Sequence, residues 1–153
     1  MNLYIKSLIF TILQPGVVAI FIPYVLHIYF DSNYQVGVVN WVGIPIFIAG
    51  LFIMFWCIYA FILTGKGTLS PAAPTKQLVT RGLYNYSRNP MYVGVLLMII
   101  GEALYFGSVA LFAYLMIVTI GFHLFITLAE EPRLQREFGL AYKEYKQRVR
   151  RWV

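Results

Sequence analysis

The sequence holds one cysteine, Cys57, and two histidines, His27 and His123, among 153 residues. A lone thiol forms no intrachain disulfide and no redox pair, and so thin a supply of nitrogen and sulfur ligands gives no metal site. Charge is scarce as well. Only 12% of residues are charged, about half the share in an ordinary soluble domain, while 60% are hydrophobic. A soluble fold could not cover that much apolar surface. Acidic residues number six against twelve Lys and Arg. That excess would suit a nucleic-acid binder, but the placement of the basic residues argues otherwise. No small-residue cleavage site follows a short apolar core near Met1, so no cleaved signal peptide is expected.

Long apolar runs are what the chain has in abundance. Ser7 to Phe30 is uncharged, and Leu8–Phe30 as a helix would span about 34 Å, enough to cross a bilayer. Pro15 and Pro23 interrupt it, which membrane helices tolerate. A second uncharged run gives a span over Val42–Leu63. After a polar stretch, residues 89–129 carry one charged residue, Glu102. As a single helix that run would be about twice the hydrocarbon thickness. It therefore predicts a tight hairpin of two helices turning near Phe106, Gly107 and Ser108. With four spans, every Lys and Arg falls on one side: Lys6, the 64–88 loop, and the tail from Arg133 to Arg151. The positive-inside rule makes that side cytoplasmic, with anionic lipid headgroups as partner rather than nucleic acid. The expected protein is thus all-α and multi-pass: one domain over residues 1–153, about four transmembrane helices, both termini cytoplasmic.

The tail adds an amphipathic helix. Leu134, Phe138, Ala141 or Tyr142, Tyr145, Val149 and Trp152 recur every three or four residues. Such a helix lies in the headgroup plane, or folds back over the polar loop and closes a site there.

Three polar clusters gather on the cytoplasmic side. Gly65-Lys66-Gly67 would make a turn, or let a backbone approach a ligand closely. Asn89-Pro90 has the form of an N-cap and first helical residue, which starts the third helix and leaves free N–H groups beside Arg88. Glu130 and Glu131 stand at the C-terminal end of an apolar helix, against its dipole, and Pro132 should end that helix at about Glu131. The pair could cap the tail helix, bind Arg133 and Arg136, or hold a cation or sugar hydroxyls. His123, Thr127 and Glu130 share a helix face, although a hydrogen-bonded core position is the more ordinary state for His123. His27 reads as structural. Glu102 reads as snorkelling or paired within the bundle, far from these motifs.

Four pieces, GKGT (65–68), LVTRGLYNYSRNPMYVG (78–94), EEPRL (130–134) and FGLAYKEYKQRV (138–149), make the chain resemble membrane methyltransferases. These include isoprenylcysteine carboxyl methyltransferase and the phospholipid N-methyltransferases. The resemblance implies S-adenosylmethionine as cofactor, bound by Gly65, Gly67, Glu130 and Glu131. The family's Arg-x-Pro-x-Tyr motif falls on Arg88, Pro90 and Tyr92; many relatives have His where this chain has Asn89. The implied cofactor site is Gly65, Gly67, Tyr84, Arg88, Asn89, Pro90, Tyr92, Glu130 and Glu131, with Arg88, Tyr92 and Glu130 as the catalytic group. In chemical terms, carboxylates can take the cofactor's ammonium or ribose hydroxyls, and Arg88 with the third helix's N-terminus can take its carboxylate. Rings of Tyr84, Tyr86 or Tyr92 can face the sulfonium. The acceptor is expected to be lipophilic, a prenylcysteine-type carboxylate or a phospholipid-type amine. The competing readings are an NADPH-dependent membrane reductase of the sterol-reductase type and a non-enzymatic four-helix membrane protein built around Glu102.

Overall fold

The computed structural model describes residues 13–30, 37–64 and 78–153, and those residues are helical throughout apart from short connections. Five helices follow in order: α1 (Leu13–Tyr29), α2 (Val38–Thr64), α3 (Pro90–Phe106), α4 (Val109–Phe125) and α5 (Glu131–Arg148). A 3-10 turn at Gly82–Asn85 precedes α3. The expected hairpin turns at Gly107, which adopts left-handed backbone (φ 60°). Ser108 caps α4 there by accepting a hydrogen bond from the Leu111 N–H.

Close backbone contact holds α2 against α3. Gly43 and Gly50 on α2 oppose Gly101 and Gly94 on α3, each pair seven residues apart. A methyl group at Gly50 would lie 2.5 Å from the Gly94 carbonyl oxygen, and one at Gly101 would lie 2.6 Å from that of Gly43. Small residues at such a seam let backbones approach where lipid offers no hydrophobic drive for packing. Met54, Ile58, Val95, Met98 and Ile99 fill the core alongside, with Ala19 of α1.

Two prolines shape the remaining helices in the same way. Val17–Phe21 and Ile126–Glu130 are π turns. Each ends one residue before an X–Pro pair, where the N–H of Ile22 or Glu131 bonds five residues back, to Val17 or Ile126. In this wider register Pro23 would have bonded to the Val18 carbonyl had it carried an N–H. Tyr114 Oη supplies that hydrogen bond instead, at 2.9 Å. The expectation that Pro132 ends the helix at Glu131 is therefore corrected. The π turn carries the helix through, and α4 and α5 run on as Val109–Arg148, bent at Gly139 (φ 52°, ψ −119°).

Asn40–Ala60 and Val109–Arg148 are long and apolar enough to cross a membrane, while Leu13–Tyr29 and Pro90–Phe106 are shorter apolar helices. Large side chains that water would drive inward point outward: Phe52 is 64% exposed and Ile117 68%. Such a surface calls for lipid, and the protein is membrane-associated. Beyond Ala129 the long helix turns polar, so Glu130 onward lies outside its apolar stretch.

Gly101→Val should force α2 and α3 apart and lower stability by about 1–3 kcal/mol. Gly121→Ala, at a helical position with nothing within 4 Å, should leave stability unchanged or raise it by up to about 1 kcal/mol. Thermal unfolding in detergent checks both, and equal behaviour of the two variants would contradict the seam.

Candidate functional site

The polar end of the bundle is assembled around the start of α3. Val79 and Leu83 bury the connecting segment, and the Tyr84 side chain lies under it against Cys57. Tyr145 Oη of α5 donates to the Tyr84 carbonyl at 2.7 Å. The chain end then runs beside the residues leading into α3. The Arg88 N–H donates to the Arg150 carbonyl at 2.9 Å, and Asn89 Nδ2 donates to that of Arg151, also at 2.9 Å. Asn89 thus occupies the N-cap position without capping through its side chain, contrary to the simple N-cap reading. Its side chain ties down the C-terminal strap.

The two glutamates face different partners, as adjacent helical residues must. Glu130 Oε2 accepts from Tyr92 Oη at 2.9 Å, and the Tyr92 ring packs on Phe122. Glu131 accepts from three cations: Arg88 Nη1 at 3.0 Å, Arg151 Nε at 2.7 Å and Lys146 Nζ at 3.1 Å. The Glu131 and Arg88 side chains are only 8% and 9% exposed, so the pair stands or falls together. Arg88 Nε is buried and has no hydrogen-bond partner among the described residues.

Electrostatics separates the two carboxyls. Burial works to raise the Glu131 pKa, but hydrogen bonds from Arg151 and Lys146 and the charge of Arg88 outweigh it and hold the group below the usual carboxylate range. Burial raises Glu130, and the Tyr92 hydrogen bond and the Arg133 charge offset this only in part. The Glu131 hydrogen bond in turn pushes the Arg151 guanidinium up. Beside Glu131 is a cleft of about 200 Å³ lined by Thr127, Pro132, Gln135, Tyr142 and Lys146.

Arg88, Asn89, Pro90, Tyr92, Glu130 and Glu131 therefore stand together. Tyr84 does not present its ring: it is 6% exposed and anchors the loop, whereas Tyr86 is open on the surface. Gly65 and Gly67 lie outside the described residues. Glu131 pairs with Arg88, Lys146 and Arg151, not with the Arg133 or Arg136 considered from sequence. His123 is exposed rather than in the core, and stacks on Trp152 at 6.4 Å between ring centroids. Sequence reasoning passed over Arg151 and Lys146, which look like any others in a basic tail. The tail stripe did contain the signal for Tyr142 and Tyr145, both buried here.

The model of a family described as phospholipid methyltransferase matches residues 38–141, which run from α2 through the paired glutamates into α5. An uncharacterized protein of Haemophilus influenzae is 33% identical over 63 residues, covering 41% of this chain and all of that protein. No solved structure matches the chain.

Glu131→Ala should leave the Arg88 guanidinium buried without its anion, at a cost of about 3–5 kcal/mol, and free the strap. Amide exchange at Arg88 should then rise sharply. Acid should do the same to the native chain. A depressed carboxyl contributes its stability in full above the ordinary carboxylate range and loses it as pH falls below that range. Exchange at Arg88 that ignores both the substitution and the acid would contradict the ion cluster.

Proposed function

The chain belongs to the phospholipid methyltransferase family, and from that premise we propose that it methylates a lipophilic acceptor with S-adenosylmethionine at the cytoplasmic membrane face. The observation that carries the reading is the meeting of Arg88, Tyr92, Glu130 and Glu131 at the polar end of the helices, from segments some forty residues apart. Four spans, one domain over residues 1–153, and both termini on the cytoplasmic side complete the proposal. The four apolar helices and the one-sided placement of Lys and Arg support it.

The residues present fit this cofactor. Arg88 holds Glu131 through Nη1 and keeps a buried Nε without a partner among the described residues, beside the N–H groups at the start of α3. Together they suit the cofactor's carboxylate. Glu130, bonded to Tyr92, has acceptor capacity for an ammonium or for ribose hydroxyls. Glu131 holds Arg88 buried and fixed in direction. Gly65 and Gly67 complete the proposed binding set, with Asn89 and Pro90 shaping the helix start. Tyr84 belongs to it through the loop it anchors.

When bound, the cofactor supplies a methyl group on a cationic sulfur, and that charge disappears on transfer. The protein's task is then mainly positioning and exclusion of water. An acceptor carried on an apolar tail enters sideways from the cytoplasmic leaflet, between helices whose outer faces are already apolar. A carboxylate acceptor is ionised at neutral pH and needs only to be oriented, by Arg88 or Arg133. An amine must lose a proton, and Glu130, its pKa raised by burial, or His123 is the candidate acceptor.

Radiolabelled methyl transfer into membrane extracts, followed by identification of the product, tests the reading. Label should enter a lipid-tailed product, and Glu130→Gln or Arg88→Ala should lower the rate at least tenfold. Efficient methylation of a small water-soluble acceptor, with no gain from a lipid tail, would contradict lateral entry. Cysteine labelling at Ser70, Asn33 and Gln147 in a Cys57→Ser background tests the orientation. Ser70 and Gln147 should label from the side opposite to Asn33, and labelling of Ser70 and Gln147 from opposite sides would overturn four spans.

A further inference from the structure

The end of the bundle away from Arg88 holds a second arrangement that methyl transfer does not use. Glu102 stands on the last turns of α3, twelve residues beyond Pro90, hence about 18 Å along the helix. It lines a cavity of about 240 Å³ with Gly43, Phe47, Gly101, Tyr105 and Phe106. Two of these residues are the glycines of the outer seam contact, so the floor is backbone and the walls are aromatic.

Two buried polar atoms there lack partners among the described residues. Glu102 Oε2 is buried with no hydrogen-bond partner among the described residues. His27 of α1 stacks on Phe106, ring centroids 4.1 Å apart, and its buried Nδ1 is likewise without a partner among the described residues. Leaving a polar group unsatisfied in an apolar setting is costly. Two such groups flank one phenylalanine. The surrounding wall is meanwhile braced: Trp41 meets Tyr105 edge-on at 6.3 Å, and Asn40 Nδ2 donates to the Tyr105 carbonyl at 3.0 Å.

A carboxyl group in a cavity lined by aromatic rings complements a cation that carries apolar groups. The carboxylate supplies the counter-charge and the rings supply their negative faces. A bare metal ion would need more oxygen ligands than one glutamate offers, and no group of three or more metal-ligating side chains occurs among the described residues. We propose that this cavity is a binding site for an alkylammonium group borne on an apolar chain, entering from the membrane leaflet opposite the methyl-transfer site. Glu102 faces the cation, and Phe47, Tyr105 and Phe106 wrap its carbon substituents. The site stands independently of the methyl-transfer reading.

The test uses the full chain in nanodiscs, titrated calorimetrically with octylamine, octyltrimethylammonium and octanol, with empty nanodiscs subtracted. Both ammonium compounds should show a saturable binding component, one per chain and dependent on Glu102, while octanol should give no saturable heat. Glu102→Gln should weaken ammonium binding at least tenfold and Tyr105→Leu several-fold. Glu130→Gln, at the other end of the bundle, should leave it unchanged. Equal saturable binding of octanol, unaltered affinity in Glu102→Gln, or an equal loss in Glu130→Gln would each overturn the site. Should Glu102→Gln unfold, backbone amide shifts in the native chain decide. Saturable changes at Gly43, Gly101 and Phe106 on adding octyltrimethylammonium support the proposal, and changes confined to Arg88–Tyr92 overturn it.

Discussion

A carboxylate buried at a membrane surface must be compensated, and Glu131 draws its compensation from three places in the chain. Arg88 comes from the segment before α3, Lys146 from the far half of α5, and Arg151 from the strap that follows it. No one of these contacts is unusual. Together they oblige α5 to lie across the start of α3, because drawing Glu131 away from Arg88 leaves a buried guanidinium without its anion. The backbone bonds from Arg88 to Arg150 and from Asn89 to Arg151 follow from that alignment. So does the division of labour between the glutamates: with Glu131 committed to cations, Glu130 turns to Tyr92 and keeps capacity for something else.

Getting Glu130 and Glu131 to that position depends on how the helix passes Pro132. A helix that stopped at Glu131 would have left α5 free to choose its own direction. The π turn instead inserts one residue's worth of rotation and continues, so the orientation of α5 is inherited from α4. The same device at Pro23 is stitched to α4 by Tyr114. At the other side of the bundle the glycine seam fixes α3 against α2 at backbone distance. The site is therefore set on two supports, the α2–α3 pair and the continuous helix that runs from Val109 to the break at Gly139, joined by the Glu131 cluster.

Much of this was legible in the residues. Apolar runs announced the helices, Gly107 and Ser108 the hairpin turn, and the motifs at 88–92 and 130–131 the two halves of the site. What stayed hidden was hidden for physical reasons. Proline reads as a helix end because its missing N–H and its ring oppose continuation; only tertiary context decides whether a π turn absorbs it. Tyr84 reads as an available ring, yet its burial against Cys57 depends on a contact that sequence spacing does not encode. Which of seven basic tail residues would reach Glu131 depended on the break at Gly139 and the extended turn at Val149, neither of which has a periodic signature. The four glycines of the seam were visible as pairs seven apart, but became meaningful only once α2 and α3 were known to be antiparallel neighbours.

We propose that the Arg88–Tyr92 segment and Glu130–Glu131 form one binding site for S-adenosylmethionine. Ultraviolet crosslinking of the methyl-labelled cofactor to the purified protein, followed by peptide mapping, addresses it directly. The account predicts label on the peptides carrying Arg88–Tyr92 or Glu130–Glu131, suppressed by excess S-adenosylhomocysteine. Saturable, competed label only on peptides from the Glu102 end of the bundle would contradict it.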